Sequence, residues 1–147
     1  MKEFMENWFD KILKGLAAAG GFIAGLFGGW DGMLIALVVV MVIDYISGIL
    51  VAVMNKSLKS ENGGLNSKVG AKGIAKKCLI LLMVWLATTL DATLGDQYMF
   101  RNMVVWFYVA NEGLSILENL ALTDLPIPQG LKEVLEQWKE KGNKDKI

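Results

Sequence analysis

The sequence predicts an all-α integral membrane protein with three to four transmembrane helices and a C-terminal cytoplasmic amphipathic helix, forming one membrane domain and assembling as a homo-oligomer. Hydrophobic residues make up 54% of its 147 residues, whereas soluble domains usually contain about 45–50%. They are concentrated in runs long enough to cross a bilayer as helices. The long polar segment between two of these runs, at residues 55–77, contains six lysines, which suits a loop at a membrane surface.

The N-terminal part is predicted to form an amphipathic helix at residues 4–16 and then a weak, Gly/Ala-rich transmembrane segment at residues 15–29. Helically spaced apolar residues fit a helix on a membrane surface or packed against protein; they are Phe4, Met5, Trp8, Phe9, Ile12, Leu13 and Leu16. The second segment is uncharged but only ~22 Å long as a helix, which is short for a ~30 Å hydrocarbon core. A Gly-rich linker is the alternative. Small residues four apart favour close helix packing: Ala17, Gly21, Gly25 and Gly29.

Three stronger apolar segments, at residues 33–54, 78–94 and 103–122, are each predicted to span the membrane. The first two are separated by a polar, basic segment at residues 55–77. A short loop separates the last two, and it contains Arg101.

The C-terminal region is predicted to leave the membrane and to form one more helix. Pro126 and Pro128 end the last span. Residues 130–141 have the apolar spacing of a short amphipathic helix, and residues 142–147 are predicted to be a frayed, charged tail.

The lysines set the predicted orientation, because lysine and arginine accumulate on the cytoplasmic side of membrane helices. The basic segment at residues 55–77 contains Lys56, Lys59, Lys68, Lys72, Lys76 and Lys77. If it is cytoplasmic and there are four spans, both termini are cytoplasmic and Arg101 is the single basic residue outside. The same lysines are candidates for binding anionic lipid. Nucleic acid is not an expected partner, because no aromatic residues interleave with the lysines.

Polar side chains within the last span form a stripe about 120° wide on a helix, at Asn111, Glu112, Ser115, Glu118 and Asn119. A carboxylate at the bilayer centre costs roughly 2.5–3.5 kcal/mol on insertion scales. The stripe is therefore expected to face protein or water. Asp44 lies near the middle of an earlier span, with Ser47 and Gly48 on its helical face. We expect no basic residue at this depth, so the carboxyls are either protonated between helices or exposed to a wet cavity.

The residue types exclude several functions. The chain has no histidine and one cysteine, Cys78. An intrachain disulfide, a Cys/His zinc site and histidine-dependent catalysis are therefore excluded. We expect no metal, no cofactor and no enzymatic activity, since no recognised catalytic motif surrounds the membrane carboxylates.

Three blocks of sequence resemble the toxin-secretion/phage-lysis holin family. They are "IDYISGILVAV" at Ile43–Val53, the stretch Ser67–Asp91 and the stretch Arg101–Lys139, of which "ANEGLSILENLA" followed by "LPIP" is the most specific part. The resemblance implies a phage or prophage protein that oligomerises in the bacterial cytoplasmic membrane and opens pores. Its partners would be other copies of itself and membrane lipid, and its exported cargo an endolysin or a toxin. No catalytic residues are implied.

The residues and the resemblance together give three sets of candidate functional positions. Candidates for the pore lining or polar helix face are Asp44, Ser47, Asn111, Glu112, Ser115, Glu118 and Asn119. Candidates for close helix packing are Ala17, Gly21, Gly25, Gly29 and Gly48. The six lysines of residues 55–77 are the candidates for topology and anionic lipid.

Two other functions stay open on the sequence. A small ion or proton channel or transporter is suggested by the carboxyls Asp44 and Glu112 at mid-depth. A non-conducting antiholin or membrane scaffold would use the same polar faces only for packing.

Overall fold

The computed structural model describes residues 1–95 and 97–144. Within these residues the chain forms five helices and no strand: α1 (Lys2–Leu26), α2 (Gly32–Val53), α3 (Ser67–Leu94), α4 (Met99–Ala121) and α5 (Gln129–Lys144). The predicted all-α class is confirmed. Local sequence explains several helix ends. Asp31 Oδ1 accepts a hydrogen bond from Leu34 N at 2.9 Å, and Asn66 Oδ1 accepts one from Lys68 N at 2.9 Å, so both side chains act as N-caps. Gly95 ends α3 in the left-handed conformation.

Helix α3 runs antiparallel to α2 and α4, which are parallel to each other. Helix α4 is the central helix. It packs against α2, α3 and α5, whereas α2 and α3 make few direct contacts with each other. Helix α1 is exposed along most of its length, with Ala24 buried near its C-terminus. We call the end of the bundle where α2 and α4 begin and α3 ends the Gly32 end. The opposite end, where α2 ends and α3 begins, is the Val53 end.

Apolar residues fill the middle of the bundle. The buried set is Leu34, Leu37, Met41, Ile80, Val84, Val105 and Val109. On α2 and α3 most buried residues follow one another at spacings of three or four, as in left-handed antiparallel bundles. Both helices are long and apolar enough to cross a membrane, and 33% of the apolar window of α2 and 17% of that of α3 are buried in the protein. Most of their apolar surface therefore faces outward.

The helix bounds differ from the predicted segments at three places. Residues 4–16 and residues 15–26 of the next predicted segment belong to one continuous helix, α1. The helix ends before Gly28 and Gly29, which have φ of 77° and 102°. Helix α3 begins at Ser67, so residues 67–77 of the predicted basic loop are helical, because Asn66 caps them and no break follows. The first three residues of the predicted tail at 142–147 are helical in α5, and residues 145–147 lie outside the described residues. Crossing of the membrane by α4 and α1 stays a prediction.

Substitution of a buried leucine should destabilise the bundle. Leu37 of α2 is fully buried, so Leu37→Ala leaves a cavity that should cost about 2 kcal/mol or more. Leu50 lies on the same helix and is 56% exposed, which makes Leu50→Ala the matched control. Thermal unfolding of both variants in detergent measures the difference. Equal unfolding midpoints for the two variants would contradict the packing described here.

Candidate functional site: two charge clusters in the bundle

Four charged side chains from three helices meet inside the bundle and form what we call the Lys77 cluster: Asp44, Lys76, Lys77 and Glu112. Lys77 Nζ donates hydrogen bonds to Asp44 Oδ2 at 2.7 Å and to Glu112 Oε2. Lys76 Nζ lies 2.9 Å from Glu112 Oε1, as an ion pair rather than a well-aimed hydrogen bond. The cluster contains two acids and two lysines, so it is formally neutral. Glu112 is fully buried, and the Lys77 side chain is 13% exposed.

Neutral polar groups extend this cluster between α2 and α4. Asn119 Nδ2 donates to Ser47 Oγ at 2.9 Å and to the main-chain oxygen of Asp44 at 3.3 Å. Ser47 Oγ donates to the same Asp44 oxygen at 3.0 Å. A Cβ on Gly48 would lie 3.7 Å from Asn119 Nδ2, an ordinary van der Waals contact, so Gly48 lies directly beside this amide. These contacts fix α4 against α2 next to the charges.

The cluster lies at one level of the bundle because three helices bring their members to similar distances from the Val53 end. At ~1.5 Å per residue, Asp44 is about 14 Å from the end of α2, and Glu112 is about 14 Å from the end of α4. Lys77 is about 15 Å along α3 from Ser67. It continues the buried face of α3, which carries Ile80, Val84, Ala87 and Asp91.

The expectation that no basic residue reaches the depth of Asp44 and Glu112 is wrong. It depended on placing Lys76 and Lys77 in a loop, whereas both lie on α3 and pair with the carboxylates. The missed signal was the spacing of Lys77 from the buried positions: Lys77, Ile80, Val84, Ala87 and Asp91 alternate three and four apart. That pattern would have placed Lys77 on the inner face.

The predicted polar stripe of α4 is divided between different surroundings. Glu112 and Asn119 are buried in the cluster. Asn111 and Ser115 are half-buried, and Ser115 lies next to Asp44. Glu118 is exposed and lines a cavity of about 410 Å³ between α4 and α5, together with Leu117 and Lys132. The structure therefore brings together Asp44, Ser47, Glu112 and Asn119, with Ser115 beside them, and leaves Glu118 apart.

The predicted helix-packing residues of α1, Ala17, Gly21 and Gly25, are exposed, whereas Gly29 follows α1 and its main-chain oxygen accepts a hydrogen bond from Arg101 Nη2 of α4 at 3.5 Å. No atom lies within 4 Å of a Cβ built on Gly21, Gly25 or Gly29, and Ala17 is exposed. Any close packing at these positions would have to involve another copy of the chain or lipid.

The four remaining candidate lysines lie at the surface of the Val53 end. Lys59, Lys68 and Lys72 are exposed. Lys56 Nζ pairs with Asp124 Oδ2 at 2.7 Å, and this hydrogen bond holds the pKa of Asp124 below its usual value. The pair links the α2–α3 connection to the segment after α4.

A second group, which we call the Arg101 cluster, closes the Gly32 end. Arg101 lies in the first turn of α4, and its side chain is 1% exposed. The prediction that Arg101 belongs to a loop is wrong, because the residue is helical. Its Nη1 and Nη2 donate to Asp31 Oδ2 at 2.7 Å and Oδ1 at 3.0 Å, a bidentate ion pair. Its Nε donates to the main-chain oxygen of Phe27 at 2.6 Å. The Asp91 carboxylate of α3 accepts hydrogen bonds from the main-chain N–H groups of Phe100 at 2.9 Å and Arg101 at 2.8 Å, and so caps α4.

Comparison with known protein families identifies the family of this chain. Residues 21–140 match the bacteriophage holin family. The chain belongs to that family. The resemblance predicted from the sequence blocks is confirmed. Membership indicates a non-enzymatic membrane protein with a holin-like role. Among the described residues, no group of three or more His, Cys, Asp or Glu side chains is arranged to hold a metal ion.

Several relatives of this holin cover most of its length. A Clostridium perfringens protein, named an uncharacterized 14.9 kDa protein in the nagH 3' region, is 41% identical over 93% of this chain and 99% of its own. The Listeria monocytogenes protein Lmo0128 is 39% identical over 92% of this chain and 93% of its own. A Bacillus phage phi105 protein named a probable holin is 35% identical over 63% of each chain. No solved structure matches the chain.

Arg101 should not be replaceable by lysine, although the charge would be kept. Arg101→Lys loses the two-pronged hydrogen bond to Asp31 and the bond to Phe27. We expect a loss of about 1.5–3 kcal/mol, seen as a lower unfolding midpoint in detergent. Lys68→Arg, an exchange of basic residues at an exposed site, is the control. An unchanged unfolding midpoint for Arg101→Lys would show that the Arg101 cluster contributes little to stability.

The Asp31 pair also predicts a pH dependence of stability. The hydrogen bond from Arg101 lowers the pKa of Asp31 below its unfolded value of 3.8, with the N–H of Leu34 adding to it and partial burial opposing it. The resulting stabilisation is fully present above pH 3.8 and is lost as pH falls through the lower folded-state pKa. The Asp31 side chain is 48% exposed, so solvent screening reduces the effect. In unfolding curves from about pH 5 down to about pH 1, Asp31→Asn should lose less stability than the parent; parallel curves would contradict this.

Proposed function

We propose that this holin oligomerises in the bacterial cytoplasmic membrane and forms pores that release an endolysin or a toxin from the cytoplasm. The observation that carries the proposal is the Lys77 cluster, because its charges lie between α4 and two helices, α2 and α3, that are apolar enough for a membrane. Ionisable groups inside membrane helices are costly and usually mark a functional path. Here their cost is offset within one protomer, since each carboxylate is paired with a lysine.

The pore lining would come from the polar surface that α2 and α4 share. Asp44 and Ser47 belong to α2, and Glu112, Ser115 and Asn119 belong to α4. A single protomer can bury these groups only against its own helices. In an oligomer, several such surfaces could surround water, while the outward apolar residues of α2 and α3 remain in lipid. The small residues of α1 would then allow close approach between protomers.

The proposed topology places the Val53 end at the cytoplasm. The exposed lysines Lys59, Lys68 and Lys72 lie at that end, where the positive-inside rule places basic residues and anionic headgroups attract them. With α1 and α4 as the additional spans, both termini are cytoplasmic. Lys76 and Lys77 pair with buried carboxylates, so they have a role besides setting orientation.

A second candidate is a non-conducting antiholin or scaffold. The internal pairing of the Lys77 cluster favours it, because a protomer whose charges are already paired has no need of a lumen. A small channel for ions or protons is an intermediate outcome of the same experiment.

The test is inducible expression in bacteria, with and without a cytoplasmic muralytic enzyme. The proposal predicts abrupt depolarisation, escape of a folded cytoplasmic reporter protein, and lysis only when the muralytic enzyme is present. Depolarisation without reporter escape would indicate a small channel. Membrane insertion without depolarisation would favour the antiholin or scaffold and would contradict the pore.

Glu112 should affect pore activity more than its neighbour Glu118. Replacing Glu112 by leucine removes a charge from the proposed lining, and we expect reporter escape to fall by about tenfold, the effect of ~1.4 kcal/mol on the open population. Glu112→Gln keeps a polar side chain and should change the onset of lysis by less. Glu118→Gln is the matched control, because Glu118 lies on the same helix outside the cluster. Wild-type timing and leakage in Glu112→Leu would remove Glu112 from the lining.

A further inference from the structure

We propose that Lys77 is a latch that holds the holin closed, and that opening requires α3 to separate at the Val53 end from the pair formed by α2 and α4. The inference rests on the proposed pore and adds its regulation: which contact keeps the pore closed and which helix moves.

The latch follows from the partners of one ammonium group. Lys77 Nζ donates to Asp44 on α2 and to Glu112 on α4, so both carboxylates approach the same nitrogen atom. Without this cation, two negative charges would face each other in a poorly solvated site, and like charges there repel. Among the described residues, Lys76 forms an ion pair with Glu112 and none with Asp44, and its side chain is 49% exposed, so it does not replace the bridge to Asp44. Lys77 is therefore the residue that makes the closed arrangement electrostatically possible.

The moving helix follows from how unevenly the three helices pack. The contact between α2 and α4 is the most extensive in the bundle, and α2 and α3 touch little. Helix α3 buries a smaller share of its apolar window than α2 does, 17% against 33%. At the Val53 end it is held by the ion pairs of Lys76 and Lys77, and the Tyr45 side chain of α2 lies beside Gly70 and Gly73 of α3. When α3 moves away, water or a charge on another protomer can replace the ion pairs of Lys76 and Lys77. A lost apolar contact has no comparable replacement.

Separation of α3 would expose the buried carboxylates that the proposed aqueous pore requires. Asp44 and Glu112 would lose their cation and remain side by side on the α2–α4 pair, still joined through Asn119 and Ser47. A small cavity of about 100 Å³ already lies beside Asp44 at this end, lined by Tyr45, Lys59 and Gly70 among others. Water and neighbouring protomers would then solvate the freed carboxylates.

The experiment uses the full-length chain with Cys78→Ser as background and a single cysteine as a probe of water. Ile80 lies on the inner face of α3 and is 2% exposed, and the adjacent Leu79 is 62% exposed toward the lipid side. Ile80→Cys and Leu79→Cys are each introduced into three chains: the parent, the Lys77→Met variant and the control variant Lys72→Met. Lys72 is exposed on the same helix, so its replacement removes the same charge without touching the cluster. Labelling by a water-soluble maleimide is measured in membranes, and the onset of lysis in culture.

The latch predicts that Lys77→Met increases the labelling rate at position 80 by about tenfold or more, the shift expected from losing a hydrogen bond between charged groups. Labelling at position 79 stays low, Lys72→Met behaves as the parent, and lysis begins earlier in Lys77→Met. Reversing the pair with Asp44→Lys and Lys77→Asp should restore slow labelling, which separates loss of the latch from general misfolding.

Unchanged labelling at position 80 in Lys77→Met, at equal membrane insertion, would overturn the latch. A reversed pair that labels as fast as Lys77→Met would overturn it as well. If labelling rises as expected but no variant depolarises the cell, the latch stands and the pore fails, so the two proposals are tested separately.

Discussion

The bundle depends on one ammonium group held between two carboxylates from different helices. Lys77 lets Asp44 and Glu112 lie near each other inside a set of apolar helices. Replacing both acids by apolar residues would remove the cost of burying charge and is often stabilising in proteins. A cluster that is expensive to bury and easily replaced is therefore better explained by function than by stability. In a holin, the natural use for such charges is a state in which they meet water.

The polar contacts are arranged in layers along the helices. The Arg101 cluster ties α4 to the α1–α2 turn and to α3 at the Gly32 end. Apolar side chains from α2, α3 and α4 occupy the middle. The Lys77 cluster follows toward the Val53 end. The Gly32 end is fixed by a guanidinium fork and by main-chain hydrogen bonds, which tolerate little change in geometry. The Lys77 cluster relies mainly on lysines, whose flexible side chains can change partners.

Sequence patterns predict the helices well and the pairing of charges poorly. The apolar runs locate α2 and α4 to within a few residues, and Pro126 and Pro128 correctly mark the segment before α5. The polar stripe of α4 identifies Glu112 and Asn119 as inward-facing, because the helical period fixes their direction. It includes Glu118, which faces the α5 side, because a stripe on one helix does not show where its neighbours pack.

Lys77 and Arg101 were missed for a related reason. Both are basic residues next to apolar runs, and the positive-inside rule assigns such residues to loops by their charge alone. Their burial depends on where the helices begin, which Asn66 and Asp91 set through hydrogen bonds to main-chain N–H groups. The Asp91 bond joins residues that are ten positions apart, and no local pattern in the sequence reveals it.

The central claim is that the buried carboxylates of α2 and α4 face water when the protein is open. Conductance of the purified holin in a planar bilayer, with a salt gradient across it, tests this most directly. Carboxylates lining a pore favour cations, so the account predicts a cation-selective reversal potential that moves toward zero when Asp44 and Glu112 are both neutralised. An open pore that selects anions, or a reversal potential unchanged by removing both acids, would contradict it.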